Sequence, residues 1–326
     1  MRCRICKAPN TFIVGNVEYY RSYGHDVYDC PVCNCRFTAH TGDIYERLHV
    51  NEHSRYGYYR EIARAAKRYY DKGDLSGLRQ ELCSTSKYEY IIRCIDCHST
   101  DSKILEVGCA TGFLTSYFIL EGYNIIGVDV SQCAIESARA DFGPRFFAND
   151  AEIISENSPY DIIYHTGMIG CVSNPVELTR SLLSLLKPGG KLLFNAPNLD
   201  ALWFRGQLWF DDAPPPDVVT LFKPGFWTRF FSVDANVLEE VENCSKHSSA
   251  WIALKRGLHA WKAPTPRLLE GEFARHDPSD AAGKRVIKKC TALAKKGIKT
   301  MINLCPDPLI PRQPTEVGLL VSMTKK

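Results

Sequence analysis

The sequence lacks a long hydrophobic run: no apolar stretch approaches the ~18–20 residues that a membrane-spanning helix needs. No apolar segment follows Met1-Arg2-Cys3-Arg4, so a secretory signal is not expected and the chain is predicted to be cytoplasmic, with reduced thiols. A strong charge imbalance is also missing, because 40 Lys and Arg stand against 37 Asp and Glu. The net charge of +3 by itself predicts neither a nucleic-acid nor a membrane partner.

Internal repeats and low-complexity tracts are absent as well, and 45% apolar with 24% charged residues is an ordinary globular composition. The one enriched residue is cysteine, with 14 in 326 positions. That share is well below the roughly 8–10% of a disulfide scaffold. In a reducing compartment, clustered cysteines more often bind metal or take part in chemistry than form disulfides.

Five cysteines lie in the first 35 residues, and four of them form two pairs, Cys3-x2-Cys6 and Cys30-x2-Cys33. Each Cys-x2-Cys turn places two thiolates on one side of an ion, so two pairs suit tetrahedral zinc. A segment of about 40 residues also needs a staple such as a structural metal. We predict a zinc ribbon with these four ligands. Cys35 is an alternative to Cys33, and free buried thiols are the alternative to a metal.

Residues 44–98 are rich in Tyr, Arg and Glu, which predicts two or three helices interrupted near Gly73 and Gly77. This segment is interpreted as a lid over the following domain, with Tyr58 as a candidate catalytic contact. Simple packing of the tyrosines is the alternative. A third pair, Cys94-x2-Cys97, has no second pair beside it and is expected to hold ordinary thiols.

From Lys103 onward, short apolar strands alternate with helices, which predicts an α/β fold with a doubly wound parallel sheet. The predicted strands are 103–107, 124–130, 145–148, 161–165, 191–195, 250–254 and 318–323. The predicted helices are 113–120, 134–141, 175–186 and 234–244. Residues 199–231 break the alternation, and their many aromatic side chains suggest an insertion over the carboxyl edge of the sheet.

The most informative stretch runs from Glu106 to Gly112, where a strand enters a glycine turn that opens a helix. Gly108 and Gly112 allow a ligand to approach the backbone, and Asp129 follows 17 residues later, where an acid meets a ribose diol. A dinucleotide site has glycine at the position of Ala110, and Glu106 would repel a diphosphate. S-adenosylmethionine carries no phosphate and has a cationic sulfonium, so it fits this loop better.

Glu106-Val107-Gly108-Cys109-Ala110-Thr111-Gly112 resembles the first motif of the class I S-adenosylmethionine-dependent methyltransferases. Val128–Ser131 resembles their ribose-binding strand end, and Asn149–Glu152 the segment that meets the adenine amine. The resemblance implies a Rossmann-like seven-stranded sheet whose last strand is antiparallel. The cofactor-binding residues then predicted are Glu106, Gly108, Cys109, Gly112, Asp129, Val130, Asp150, Ala151 and His165.

A zinc ribbon before this fold is similar to the natural-product and sugar C-methyltransferase group. That group carries a Glu-His pair after the fifth strand; here Asp217 stands at the acid and Val218 at the histidine. Its Glu-His pair after the fourth strand is replaced by Gly170-Cys171. Because of these departures, the resemblance implies methyl transfer without fixing the acceptor atom.

Methyl transfer requires alignment of nucleophile, methyl and sulfur, and a base where the nucleophile carries a proton. The candidate catalytic residues are His165 at the end of the fourth strand, Tyr58 and Asp217. His165 is the first candidate for the base, and a structural histidine is the alternative. Residues 199–231 are predicted to wall the acceptor pocket, with plain packing as the alternative.

A basic helix is predicted over Lys284–Lys299, within an insertion at 258–314. It is interpreted as a surface helix, with docking of an anionic carrier, a phosphorylated substrate or a membrane surface as alternatives. The predicted domains are a zinc ribbon at 1–42, a helical lid at 43–100 and a methyltransferase domain at 101–326.

The predicted function is methyl transfer from S-adenosylmethionine to a small molecule, a sugar or natural-product intermediate. One alternative is an RNA methyltransferase whose ribbon and basic helix grip nucleic acid, which the near-neutral net charge disfavours. Another is a non-catalytic binding protein, against which the intact set of Glu106, Gly108, Gly112 and Asp129 argues.

Overall fold

The computed structural model describes residues 2–19, 23–39, 57–148, 151–203, 207–210, 213, 215–241, 268–269, 272–273 and 318–326. The chain divides into two compact units. The first comprises Met1–Val17, His25–Glu242 and Val317–Lys326. The second comprises Glu18–Gly24 and Asn243–Glu316, and within it β11 (Leu268–Leu269) pairs antiparallel with β12 (Glu272–Phe273).

A small sheet follows the N-terminal cysteines. Its strands are β1 (Phe12–Tyr19), β2 (Tyr23–Asp29), β3 (Arg36–Thr38) and β9 (Thr220–Leu221), in the order β1-β2-β3-β9. The fourth strand comes from the predicted insertion at 199–231, and Phe37 lies opposite Thr220 in the β3–β9 pair. The ribbon therefore borrows a strand from a segment about 180 residues further along the chain.

Three helices follow, which agrees with the helical composition of residues 44–98. They are α1 (Gly57–Tyr70), α2 (Leu75–Leu82) and α3 (Ser86–Ile95). Asp74 caps α2 by accepting a hydrogen bond from the Gly77 N–H at 2.9 Å. Ile62, Leu78 and Ile92 bury the inner faces of the three helices in one hydrophobic cluster with α4 (Phe113–Leu120).

A seven-stranded sheet forms the core and confirms the predicted fold class. Its order is β10-β13-β8-β7-β4-β5-β6, with β4 (Lys103–Val107), β5 (Asn124–Asp129), β6 (Phe146–Ala148), β7 (Tyr160–His165), β8 (Leu186–Pro197), β10 (Ala235–Val241) and β13 (Gly318–Lys325). Strands β4 to β8 are parallel, and β13 is antiparallel to β8 as the resemblance implied. Helices α5 (Gln132–Phe142), α6 (Ala151–Glu156) and α7 (Pro175–Ser184) connect the parallel strands together with α4.

The predicted helix at 234–244 is wrong, because its described residues form strand β10. Val237 lies opposite Met323, and the whole segment pairs antiparallel with β13. The Leu-Glu-Glu sequence favours a helix locally, but the hydrogen bonds offered by the free edge of β13 decide the outcome. Glu239 then accepts hydrogen bonds from the Gly225 and Thr228 N–H groups, both at 2.7 Å. These two groups lie at the start of α9 (Phe226–Phe231).

The insertion at 199–231 contains α8 (Asp200–Trp203), β9 and α9. Phe222, Phe226 and Trp227 are buried and pack on one another. Their hydrophobic cluster also includes Phe194 of β8 and the buried ribbon cysteines. The predicted strand at 250–254 and helix at 284–299 lie outside the described residues, and the division into domains stays a prediction. No helix of the described part is long and apolar enough to cross a membrane.

Candidate functional site

The glycine loop between β4 and α4 turns sharply because three of its residues have positive φ: Gly108 (74°), Ala110 (49°) and Gly112 (78°). The Gly108 N–H donates to the carbonyl oxygen of Val128, near the end of β5, at 2.8 Å. A Cβ at Gly112 would lie 2.5 Å from Phe146 Cε1, so this position has no room for a side chain. The loop is therefore fixed at the carboxyl ends of β4 and β5, where doubly wound sheets bind ligands.

Asp129 locks the loop from the neighbouring strand. Its carboxylate is buried and accepts hydrogen bonds from the Ala110 N–H at 2.8 Å and the Ser131 N–H at 2.9 Å. The next residue, Val130, has an apolar side chain that is 65% exposed. The structure thus brings predicted cofactor residues from two strands to the same loop.

Glu106 lies beneath the loop, with its side chain buried. Its carboxylate accepts hydrogen bonds from the Thr115 hydroxyl and, at 3.0 Å, from the Tyr164 hydroxyl. Burial raises the pKa of Glu106 to about 7, although both hydrogen bonds lower it. Glu106 and Tyr164 are register partners in the parallel β4–β7 pair, which is why their side chains meet.

The remaining predicted cofactor residues differ in how they are placed. Cys109 is buried, and its Sγ lies 3.0 Å from the position that a Cβ on Gly127 would occupy. A small side chain is therefore required at position 109. Ala151 is exposed at the start of α6. Asp150 lies outside the described residues.

His165 ends β7 but is fully buried. Its ring stacks on Phe194 with centroids 4.8 Å apart, and Phe194 in turn meets Trp227 edge-on. Neither ring nitrogen of His165 has a hydrogen-bond partner in the described part of the chain. Burial lowers the pKa of His165 to about 3, so the imidazole is neutral at physiological pH.

The loop of residues 167–174, which we call the acceptor loop, continues from β7 and lies against the glycine loop. Met168 Sδ is 3.2 Å from the position that a Cβ on Gly108 would occupy. The Gly170 carbonyl oxygen accepts hydrogen bonds from the Val219 N–H at 2.8 Å and the Thr220 N–H at 3.0 Å. These bonds fasten the segment around Asp217 to the acceptor loop.

Three ionisable groups from separate segments influence one another electrostatically at this loop. Burial raises the pKa of the Cys171 thiol; the negative charge of Asp217 raises it further, and the positive charge of Lys87 in α3 lowers it. Asp217 is buried and Lys87 is half-buried. The backbone of Tyr58 lies in the first turn of α1, and its side chain is outside the described part. The sequence patterns did not indicate Lys87, because its neighbours here are distant in the chain.

The cysteine pairs come together as predicted. The Sγ atoms of Cys3, Cys6, Cys30 and Cys33 all lie within 4.8 Å of one another. Cys3 and Cys33 are 3.7 Å apart, and Cys6 and Cys30 are 3.6 Å apart. Among the described residues, no other group of three or more Cys, His, Asp or Glu side chains meets this spacing, including Cys94, Cys97 and His98.

The two Cys-x2-Cys turns, Cys3–Cys6 and Cys30–Cys33, which we call the first and second knuckles, have the same backbone geometry. The Lys7 N–H donates to the Cys3 carbonyl oxygen at 2.9 Å, and the Asn34 N–H donates to that of Cys30 at 2.9 Å. Lys7 and Asn34 both have positive φ. The Cys3 N–H donates to Ala8 O, and the Cys30 N–H donates to Cys35 O. Cys35 therefore occupies the position that alanine fills in the first knuckle, and it is not part of the four-sulfur cluster.

Comparison with known proteins gives matches over the same region. A family model described as a methyltransferase domain matches residues 52–232. A ubiquinone biosynthesis O-methyltransferase of Coxiella burnetii (strain RSA 493 / Nine Mile phase I) is 30% identical over 101 residues, 29% of this chain and 43% of the relative. One of Rickettsia canadensis is 28% identical over 120 residues, 34% of this chain and 51% of the relative. The matches thus span about half the length of these relatives or less.

Solved structures with similar folds include the plantazolicin methyltransferase BpumL in complex with SAH. It is 16% identical, covers 87% of this chain and 100% of its own, and has a TM-score of 0.41. A SAM-dependent methyltransferase from Archaeoglobus fulgidus is 18% identical, covers 73% of this chain and 92% of its own, and has a TM-score of 0.42.

The family match spans more than half of the chain and includes the glycine loop. The sheet has seven strands and its last strand, β13, is antiparallel to β8, as the resemblance of the glycine loop and its neighbouring motifs implied. The chain therefore belongs to the class I S-adenosylmethionine-dependent methyltransferase family.

Proposed function

We propose that the protein transfers a methyl group from S-adenosylmethionine to a small-molecule acceptor, a sugar or natural-product intermediate. The observation that carries the proposal is the glycine loop, held by Asp129 and flanked by the exposed Val130. The curated relatives, named for O-methylation in ubiquinone biosynthesis, support a small-molecule acceptor. When bound, the cofactor supplies an electrophilic methyl group on its sulfonium.

The residues present fit this cofactor. Gly108 keeps the backbone open where β4 ends, and Asp129 lies at the end of β5, where the acid of a nucleotide-binding sheet meets a ribose diol. Val130 presents an apolar surface that an adenine ring would cover. No phosphate-binding arrangement is needed, which suits a loop that has Glu106 beneath it.

Asp217 is the favoured base among the three predicted catalytic residues. It lies near Cys171 on the acceptor loop, and that loop contacts the glycine loop through Met168. A carboxylate there would take the proton that the acceptor atom gives up when it is methylated. His165 is neutral and stacked inside the fold, which favours the alternative of a structural histidine.

We assign the four-cysteine cluster to one structural zinc ion. Four sulfur ligands within 4.8 Å of one another suit tetrahedral coordination, and four protein ligands leave no open position for catalysis. The zinc would hold the two knuckles together and take no part in methyl transfer.

Calorimetry tests the cofactor site with S-adenosylhomocysteine as the probe. Asp129→Ala is expected to weaken binding at least 10-fold, because the loop loses its lock and the ribose loses a carboxylate. Asp161→Ala is the matched control: its carboxylate also accepts a backbone N–H, from Lys103 at 2.8 Å, but at the opposite end of the sheet. Failure of the wild-type protein to bind the probe would refute the proposed function.

Turnover tests the base, using any acceptor found by screening hydroxylated and amino compounds for cofactor consumption. Asp217→Asn is expected to lower kcat by about 10²–10⁴-fold without changing the affinity for S-adenosylhomocysteine. Asp101→Asn, an exposed carboxylate just before β4 and away from the glycine loop, is the control. Normal turnover of Asp217→Asn with loss of turnover in His165→Asn would move the base to His165.

Metal analysis tests the ribbon. About one zinc per chain is expected, lost in Cys30→Ser and retained in Cys35→Ser, since Cys35 is not in the cluster. Loss of zinc in Cys35→Ser alone would contradict the assigned ligands.

A further inference from the structure

Arg4 lies inside the first cysteine knuckle, between Cys3 and Cys6, yet its side chain reaches out of the ribbon. Its Nη1 donates to the Thr38 carbonyl oxygen at 3.1 Å. Its Nη2 donates to the carbonyl oxygens of Val172 at 2.9 Å and Ser173 at 3.0 Å. One guanidinium therefore bridges the end of β3 and the acceptor loop.

A second cation of the same knuckle repeats the connection. Lys7 Nζ donates to the Arg4 carbonyl oxygen at 3.0 Å and to Asn174 Oδ1 at 3.4 Å. Both side chains reach the last three residues of the acceptor loop. That end of the loop is thus held from the ribbon, while Met168 at its other end contacts the glycine loop.

The direction of the Arg4 side chain depends on the knuckle backbone. The Lys7 N–H closes the turn on the Cys3 carbonyl oxygen at 2.9 Å, and Cys3 and Cys6 each face a cysteine of the second knuckle. An ion bound by all four sulfurs would fix the Cys3–Cys6 turn, whereas four thiols without an ion have only weak hydrogen bonds to one another. A metal ion bound at the cluster would thereby restrict the orientation of the Arg4 side chain.

We infer that Arg4 is a positioning residue through which metal binding at the cysteine cluster orders the acceptor loop. The inference rests on the proposed function, which assigns zinc to the cluster and places the base, Asp217, beside the acceptor loop. Because such coupling is reciprocal in binding free energy, anything that orders the acceptor loop would also tighten zinc binding. The glycine loop touches the acceptor loop only at Met168 in the contacts described above, and the bonds that shape it come from its own strand ends and do not involve Arg4.

Hydrogen exchange of the full zinc-loaded chain tests the inference. Arg4→Met removes the donors but keeps an extended side chain, and Arg2→Met, at an exposed position two residues earlier, is the matched control. Amides of residues 167–174 are expected to exchange about 10-fold faster in Arg4→Met, the scale of losing hydrogen bonds from a charged donor. Residues 104–129 should be unchanged in both variants, and Arg4→Lys should restore part of the protection.

The absorption spectrum of the cobalt-substituted protein gives an independent readout. Arg4→Met should retain a tetrahedral thiolate spectrum, because the four ligands remain. A variant that keeps this spectrum and shows wild-type exchange at 167–174 would overturn the inference. Faster exchange throughout 104–129 as well would assign Arg4 a global structural role and would also overturn it.

Removal of zinc from the wild-type chain with a chelator is the second arm. Exchange is expected to rise at 167–174, while the Kd for S-adenosylhomocysteine changes less than about threefold, because the bonds that hold the glycine loop are untouched. An acceptor loop that stays protected after zinc loss would refute the coupling. A chain that binds no zinc would overturn the inference together with the zinc assignment. A chain that binds zinc but has no affinity for the probe would count against the proposed methyl transfer alone, and the Arg4→Met exchange would still test the inference.

Discussion

The glycine loop and the acceptor loop are held in place in different ways. On the cofactor side, the bonds that shape the glycine loop join residues close in sequence: the Ala110 N–H and Asp129 are 19 positions apart. Around the acceptor loop and the insertion at 199–231, three bonds join residues that are more than half of the chain apart. Arg4 and Val172 are 168 positions apart, Arg36 and Leu208 are 172 apart, and Arg229 and Val32 are 197 apart. The cofactor side is therefore a local motif, whereas the acceptor side depends on the ribbon.

This contrast fits a division of labour in the family. A site for one invariant cofactor is well served by a compact motif whose parts fold together. In the function proposed above, the acceptor site would be built from the ribbon, the acceptor loop and the insertion at 199–231, which are parts that can differ between enzymes. Two buried ionisable groups allow this comparison to be measured. Burial raises the pKa of Glu106 and lowers the pKa of His165, so their contributions to stability change in opposite directions with pH.

The largest expected effect is the acid sensitivity contributed by His165. Its folded pKa of about 3 lies below its ordinary value of 6.5, so the unfolded chain binds more protons between these values and stability falls as the pH drops. The full shift corresponds to about 5 kcal/mol. Urea denaturation between pH 7 and 4 should show a shallower loss of stability for His165→Phe than for the wild type. The same change at His25, which is less completely buried, should have a smaller effect. If stability depends on pH equally in His165→Phe and in the wild type, the lowered pKa of His165 is contradicted.

Gly112→Val should damage the cofactor side most. The new Cβ would lie 2.5 Å from Phe146 Cε1 at a φ of 78°, and the overpacking and backbone strain together should lower the free energy of unfolding by about 3–4 kcal/mol. Gly122→Val is the control, because Gly122 has a φ of 92° with nothing within 4 Å. Equal losses in the two variants would mean that backbone strain alone is responsible. Denaturant titration measures both.

Glu106 should give the opposite pH dependence to His165. Its pKa of about 7 lies above the ordinary 4.5, so the folded state holds a proton that the unfolded chain has released, and stability falls as the pH rises from 4.5 to 7. The shift corresponds to about 3 kcal/mol. Glu106→Gln should be more stable than the wild type at pH 8 and similar at pH 4.5, as measured by urea titration. If the wild type is more stable than Glu106→Gln above pH 7, the raised pKa of Glu106 is excluded.

The smallest expected effect is in the ribbon. Cys35→Ala removes a fully buried thiol outside the sulfur cluster, so stability should fall by about 1 kcal/mol with zinc content unchanged. Thermal denaturation with parallel metal analysis measures both quantities. Cys33→Ala, two residues earlier, is the comparison, and it should lose the metal as well as stability. If the two variants lose the same stability and the same metal content, Cys35 does not differ from the cysteines of the cluster.

The sequence determined the features that depend on neighbours in the chain. The glycine loop, both knuckles and the strand–helix alternation from 103 to 195 follow from short-range patterns, because turns, caps and apolar periodicity act over a few residues. Spacing alone left open whether Cys33 or Cys35 joins the four-cysteine cluster. The backbone position of Cys35, which matches that of Ala8, places Cys35 outside the cluster.

Only the tertiary structure decided the rest. Strand β10 forms because β13 offers it an edge, and β9 forms because β3 does; neither partner is visible in the local sequence. His165 and Glu106 are buried by side chains from other strands, which sets their pKa values. Arg4 reaches Val172 only because the fold closes a loop of 168 residues. Contacts across such distances depend on the packing of the whole sheet, and no local pattern records them.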